Sequence, residues 1–159
     1  MKIGEIKKTT VIGAGIMGAQ IAEVLSRVGG YEVKLVDIND DLVRKGFQSI
    51  DQRLERFFVS KGKITPEEKK NIVNRIKGYT SIEEASKGTD LVIEAAVEKM
   101  ALKKEIFKKL DESAPGHTML ASNTSYLNIS EMASVTKRPD KVVGIHFFNP
   151  VAVMQLVEV

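Results

Sequence analysis

Eight residues, Val11-Ile12-Gly13-Ala14-Gly15-Ile16-Met17-Gly18, answered by Asp37 at the end of the next apolar run, leave this chain few folds to adopt. Gly13 permits a tight turn after a strand, Gly15 lets backbone N–H groups approach a pyrophosphate, and Gly18 lets the following helix lie close on that strand. The phosphates then sit at a helix N-terminus, opened by Ile16 and Met17, where unpaired donors and the positive end of the helix dipole face them. Context gives the glycine pattern its meaning. Lys8 to Ile12 reads as a short strand, and Ile21, Val24, Leu25 and Val28 recur at i, i+3, i+4 and i+7 of a helix that ends at Gly29-Gly30. Glu32 to Val36 reads as a second strand, and Asp37 closes it nineteen residues after Gly18. Strand, glycine turn, helix, strand and acid follow in the order of a dinucleotide fingerprint. The expectation is an α/β domain of the Rossmann type, a doubly wound, mostly parallel sheet.

Asp37 also chooses between cofactors. Its carboxylate accepts both ribose hydroxyls, whereas a 2′-phosphate would face it charge to charge. Two like charges about 4 Å apart cost on the order of 4 kcal/mol at an effective dielectric of roughly 20, less where water reaches them. Ile38, Asn39 and Asp40 follow, so no Arg stands beside Asp37 to reverse the preference. The expected cofactor is NAD.

Bulk properties narrow the remaining choices. A chain of 159 residues with 43% hydrophobic content can bury a core of its own as one domain. Its 24 basic and 21 acidic residues form no single-sign tract, so nucleic acid is not expected as a partner. The absence of Cys excludes a disulfide framework, a thiolate metal site and a cysteine nucleophile, and no metal is expected. The first strand begins too early for a signal peptide, and no apolar run approaches a membrane span. A soluble, cytoplasmic domain is the expectation.

Beyond Asp37 a helical pair interrupts the alternation. From Asp41 to Lys61, Val43, Phe47, Ile50, Leu54 and Phe57 form the seam of one long helix, with Arg44, Lys45, Arg53, Glu55 and Arg56 on its other side. Thr65-Pro66-Glu67-Glu68 opens a second helix with a capping box, Ile72, Val73 and Ile76 form its apolar face, and Gly78 is its expected C-cap. The pair, at about 41–77, is expected to bury its stripes mainly on itself as an insertion beyond the sheet. Its basic face is either merely solvated or meets an anionic substrate.

Tyr79-Thr80-Ser81 is the candidate third strand and Ile82 to Ser86 a short helix. Asp90 to Ala95 is a continuous apolar strand with Glu94 and Glu98 flanking its carboxyl end, where open parallel sheets bind ligands. Met100 to Leu110 follows as a helix with Leu102, Ile106 and Leu110 inward, and Thr118 to Ala121 as a strand ending in Ser122-Asn123-Thr124-Ser125. Those four small polar residues either cap the next helix or hydrogen-bond a nicotinamide or a reacting oxygen. His117, in a Pro115-Gly116 turn, reads as an exposed loop histidine.

Lys141 to Phe148 is the last long strand and delivers His146, followed by Phe147-Phe148-Asn149-Pro150. Pro150 breaks the strand, so that a returning Gln155-Leu156-Val157-Glu158-Val159 segment can bring Glu158 beside the imidazole. A carboxylate on one imidazole nitrogen fixes the tautomer and stabilises the imidazolium. Moving a hydride from an alcohol to NAD leaves a hydroxyl proton to be removed, and His146 is the expected base.

These motifs together make the chain similar to the N-terminal domain of the L-3-hydroxyacyl-CoA dehydrogenase family. The likeness covers essentially all of the chain and rests on G-A-G-I-M-G at 13–18, A-A-V-E at 95–98, S-N-T-S at 122–125 and H-F-F-N-P at 146–150 with M-Q-L-V-E-V after it. The last two are far more specific than the first. The resemblance implies NAD, an acyl-CoA substrate such as 3-hydroxybutyryl-CoA, a place in fatty acid β-oxidation, and a catalytic pair at His146 and Glu158. It also implies a hydroxyl contact from Ser125 and cofactor contacts at Asp37, Glu98, Lys103, Ser125 and Asn149. The helical pair matches the family's CoA-facing arm. Where the family commonly carries a Ser and a Lys, this chain has Arg53 and Ser60, with Lys61 and Lys63 nearby, and CoA contacts are left unassigned.

Family enzymes continue into a helical C-terminal domain that closes the cleft, contributes an active-site asparagine and makes much of the dimer interface. This chain stops one residue after Glu158, as an excised domain, a split-gene product or a truncated remnant would. It is expected to bind NAD or NADH unaided and to turn over acyl-CoA poorly, or only with a separate C-terminal helical domain or a homodimer. The alternatives are a noncatalytic NAD-binding module and a dehydrogenase of a sugar acid or other small hydroxy acid.

Overall fold

The structure, a computed structural model, describes residues 3–159. Its first unit is the one the glycine pattern dictates: β1 (Lys8–Ile12), a glycine turn, α1 (Ile16–Arg27) and β2 (Glu32–Val36). Then come α2 (Asp40–Leu54), α3 (Pro66–Asn74), β3 (Ile76–Tyr79), α4 (Ile82–Ser86), β4 (Leu91–Glu94), α5 (Met100–Ser113), β5 (Met119–Ser122), α6 (Ile129–Ala133) and β6 (Val142–Gly144). A short ribbon of β7 (His146–Phe147) and β8 (Val157–Glu158) ends the chain. Six strands form one parallel sheet in the order β3-β2-β1-β4-β5-β6, the doubly wound arrangement whose switch point lies between β1 and β4.

Two apolar layers hold this sheet. On one face Val11, Val33, Leu35 and Ile93 pack with Ile21 and Ala22 of α1, Ile50 and Leu54 of α2, and Ile72 of α3. On the other, Ile12, Val36, Val92 and Leu120 pack with Ala85 of α4, Ile106, Phe107 and Leu110 of α5, and Met132 of α6. Successive strand residues thus serve opposite layers, as a sheet covered on both faces requires. Among the described residues no helix is long and apolar enough to cross a membrane.

Several sequence-based expectations change. The helical pair does not bury its stripes mainly on itself: Ile50, Leu54 and Ile72 join the same core as β2 and α1. The seam of α2 runs through Val43, Phe47, Ile50 and Leu54 but passes to Phe58 instead of Phe57, because residues Glu55–Val59 make a π-helical turn. The wider turn adds a residue and rotates Phe57 outward. Arg53 is not on a solvated face: its guanidinium lies 3.2 Å from the buried Glu23, which also pairs with Arg27 at 3.0 Å. Val28, placed on the apolar stripe of α1, is exposed just past the helix end.

Gly78 caps nothing. The third strand begins three residues earlier than expected, and Gly78 lies within it because a Cβ there would stand 2.6 Å from Val43 of α2. The capping box of α3 is as read, with the Glu68 N–H donating to Thr65 Oγ1 at 3.1 Å and the Thr65 N–H to the Glu68 carboxylate at 2.6 Å. Leu102 faces outward, and Lys103 takes the inward position on α5 instead. The run from 141 to 148 is not one strand, since β6 belongs to the large sheet and β7 leaves it to pair with β8.

Candidate active site

Parallel register aligns the carboxyl ends of five strands. Val36, Ile12, Glu94, Ser122 and Gly144 form one row across the sheet. The residues that follow them, Asp37, Gly13, Ala95, Asn123 and Ile145, therefore line one edge, and His146 is one residue beyond. This is the edge where such sheets bind ligands, on both sides of the switch point.

The glycine turn is built for close approach. Gly13 has φ +102°, and a Cβ there would come within 2.6 Å of the Ala95 carbonyl oxygen. At Gly18 a Cβ would meet the Gly13 carbonyl oxygen at 1.7 Å, so α1 can rest on the turn only through a glycine. Over Gly15, by contrast, no atom lies within 4 Å of a Cβ position. That open space borders the first turn of α1, whose N-cap Gly15 supplies no side chain and whose Ile16 is exposed. Asp37 is aimed at the same loop: the Ala14 N–H donates to its Oδ2 and the Ile38 N–H to its Oδ1, both at 2.7 Å. An open cradle of amides, a helix N-terminus and a carboxylate one strand away fit a dinucleotide's diphosphate and its adjoining ribose.

Replacing Asp37 by Ala tests that fit. NADP is expected to gain on NAD by roughly tenfold to a hundredfold, a part of the charge repulsion that water screens. Fluorescence titration with NADH and NADPH measures it, and an unchanged preference would place the ribose elsewhere.

The second half of the site is a set of side chains gathered from β7, β8 and the loop after β5. Imidazole Nδ1 of His146 lies 2.8 Å from Glu158 Oε2, across the register pair that joins β7 to β8. A carboxylate can only accept, so Nδ1 carries the hydrogen and Nε2 is left as the acceptor in the neutral ring. Ser125 Oγ is 3.1 Å from that Nε2. The ring is 21% exposed and the Glu158 side chain 64%, so the pair opens to solvent on the side of Glu158.

Residues that carried no assigned role hold this set in place. Gln20, in the second turn of α1, donates through Nε2 to Asn149 Oδ1 at 3.0 Å and accepts the Val151 N–H at 3.0 Å, which ties the segment after His146 to the glycine turn. The Phe147 N–H donates to Asn123 Oδ1 at 2.8 Å. Ser122-Asn123-Thr124-Ser125 is not a cap for α6, whose cap is Asn128. Thr124 donates its hydroxyl to Glu98 Oε1, and the Ser125 N–H donates to the same oxygen at 3.3 Å. Burial pushes the Glu98 carboxyl up, but the Thr124 hydroxyl, the Lys103 ammonium and the Ser125 amide outweigh it and leave it below the ordinary glutamate value.

Lys103 is not presented to the cleft. Its side chain is 1% exposed, with Nζ at 2.7 and 2.8 Å from the two oxygens of Glu94 and 3.1 Å from Glu98. The sequence did carry a signal for this: Lys103 stands at the i position of a stripe continued by Ile106, Phe107 and Leu110 at i+3, i+4 and i+7. Gln20 and Glu23 are likewise buried polar residues on the inward face of α1. His117 is the exposed loop residue expected, 3.2 Å from Asp90 at the opposite end of the sheet.

Comparison with known proteins completes the picture. The family model described as 3-hydroxyacyl-CoA dehydrogenase, NAD binding domain, matches residues 8–159. A probable 3-hydroxybutyryl-CoA dehydrogenase of Bacillus subtilis (strain 168) is 48% identical over 155 residues, covering 98% of this chain and 53% of that protein. The mitochondrial hydroxyacyl-coenzyme A dehydrogenase of Homo sapiens is 42% identical over 158 residues, 97% of this chain and 50% of that protein. The crystal structure of (S)-3-hydroxybutyryl-CoA dehydrogenase from Ralstonia eutropha superposes with a TM-score of 0.91 at 42% identity, over 96% of this chain and 53% of that one. The chain thus spans about half the length of the curated relatives it matches. That match over residues 8–159 shows that the chain belongs to the 3-hydroxyacyl-CoA dehydrogenase family, matching its NAD-binding domain, and its dinucleotide is NAD.

Proposed function

We propose that this chain is the NAD-binding and catalytic half of an enzyme that interconverts a 3-hydroxyacyl-CoA, such as 3-hydroxybutyryl-CoA, and its 3-oxoacyl-CoA. The observation that carries the reading is the His146 and Glu158 pair, 2.8 Å apart, with Ser125 on the other imidazole nitrogen, on the same sheet edge as the dinucleotide cradle. NAD, when bound, supplies the hydride acceptor. In the oxidative direction Nε2 of His146 takes the proton of the substrate hydroxyl, and Ser125 orients that hydroxyl. Glu158 holds Nδ1–H and stabilises the positive charge the ring acquires, as carboxylates do beside catalytic imidazoles. Asp37, Gly13, Gly15, Ile16, Met17, Gly18 and Asn149 bind and place the cofactor. Glu98 borders the same site, with Lys103 acting behind it.

In this reading residues 1–159 are a single Rossmann domain, with α2 and α3, residues 40–74, as an arm along one face of its sheet that ends short of the expected 77 because β3 already begins at Ile76. A helical C-terminal half, in the same chain or a separate one, closes the cleft over the acyl-CoA. Val153, Met154, Leu156, Val157 and Val159, exposed around Glu158, support a closing partner there. A cytoplasmic location and a role in fatty acid β-oxidation belong to the same proposal.

Oxidation of NADH by acetoacetyl-CoA tests it, using this chain with and without the C-terminal half of the Bacillus subtilis relative. The chain alone should bind NADH and turn over slowly, and the added half should raise turnover by about tenfold or more by orienting the substrate. NADH binding without turnover in both arms would reduce the chain to a cofactor-binding module.

A further inference from the structure

We propose that Glu94 is a positioning residue for the His146 site. Its buried carboxylate, acting through Lys103, Glu98 and residues 122–125, sets where the Ser125 hydroxyl meets the imidazole. Glu94 ends β4, the strand at the switch point, and is fully buried. Every acceptor position of its carboxylate is used: Oε1 takes the Ala96 N–H at 2.7 Å and Lys103 at 2.7 Å, and Oε2 takes Lys103 at 2.8 Å and the Ser122 hydroxyl at 2.6 Å. One side chain therefore ties the loop after β4 to the loop after β5.

Lys103 carries the connection outward. Its ammonium has three hydrogens, and its partners are the two oxygens of Glu94 and Oε2 of Glu98. Glu98, 32% exposed, turns its other oxygen to Thr124 and the Ser125 N–H. The Ser122 hydroxyl in turn accepts the Thr124 N–H at 3.3 Å. Ser125 is thus gripped through its own amide and through its neighbour, and its Oγ reaches His146. The groups facing the ring itself are Ser125, Glu158 and the Phe148 ring, with centroids 4.6 Å apart. Of the triad of Glu94, Lys103 and Glu98, only Glu98 is partly exposed, at the end beside the site. Buried ion pairs are weak contributors to stability compared with apolar packing, so a fold needing only a staple here would be served by hydrophobic residues. A pair placed beneath two site loops does something apolar residues cannot: it fixes direction.

The inference rests on the proposed function only in taking His146 as the base. With two histidines in the chain, His117 at the far end of the sheet is an internal control for NMR of the imidazole signals. In Glu94→Gln/Lys103→Met the amide keeps an acceptor for Ala96 and the thioether fills the lysine stem. We expect the His146 ring signals to move in the direction seen in Ser125→Ala, which removes the contact directly, while those of His117 stay in place. In the enzyme completed with a C-terminal half, kcat should fall by about 10- to 100-fold with KM for acetoacetyl-CoA little changed, the mark of misplacement. Should that variant not fold, Glu98→Gln breaks the connection at its half-exposed member and must shift the same signals. Unmoved His146 signals in a folded variant overturn the inference. Moved signals in an assembly whose wild type shows no turnover would leave the positioning intact and sink the dehydrogenase reading instead.

Discussion

Replacing His146 by Gln is expected to lower acetoacetyl-CoA reduction by about 10²- to 10⁴-fold in the completed enzyme, the range that one positioned acid or base supplies. NADH binding should hardly change. The two effects separate because the ring belongs to the short β7–β8 ribbon, whereas the dinucleotide cradle is made by the β1–α1 turn and Asp37. Gln is the informative substitute, since it keeps a polar group near Ser125 and Glu158 but cannot take a proton near neutrality. NADH oxidation followed by absorbance, beside NADH fluorescence titration of the same variant, gives both quantities. Retained turnover would place the base elsewhere. Loss of cofactor affinity along with turnover would mean that the ring supports binding rather than chemistry.

Lys103→Met is expected to cost about 3–5 kcal/mol of stability, the usual consequence of leaving one member of a buried pair uncompensated. For a domain of this size that lowers the melting midpoint by on the order of 10 °C. The loss falls on Glu94, fully buried and reached by Lys103 at both oxygens, more than on Glu98, which solvent can hydrate. Adding Glu94→Gln should recover most of the deficit, because a neutral amide has far less to lose on burial. Chemical denaturation of the two variants measures the difference. Equal stability of Lys103→Met and wild type would show that water reaches Glu94 after all.

These two expectations differ in how far they could be read in advance. His146 and Glu158 follow from a strand, a Pro and a returning apolar run, all within the last nineteen residues of the chain. Glu94 and Lys103 look unrelated in one dimension, an acid at a strand end and a Lys on a helix. The same holds for Arg53, which is thirty residues from Glu23 and packs against it, and for Phe57, which a single π turn exchanges for Phe58. Gly78 reads as a helix stop, yet it is the one residue small enough to pass beneath Val43.

By itself the sequence determined what depends on neighbours along the chain: the Gly13 to Gly18 turn with its strands and helix, Asp37 in its place after β2, and the capping box at Thr65. Backbone conformation, helix periodicity and strand alternation are local properties, so local residue order suffices for them. Tertiary structure decided which charges are buried and against what. It placed Lys103 between Glu94 and Glu98, sent β7 out of the large sheet into a ribbon with β8, and let Gln20 hold the segment that follows. A buried charge is tolerable only beside its partner, and that partner is supplied by packing at a distance that no reading along the chain can measure.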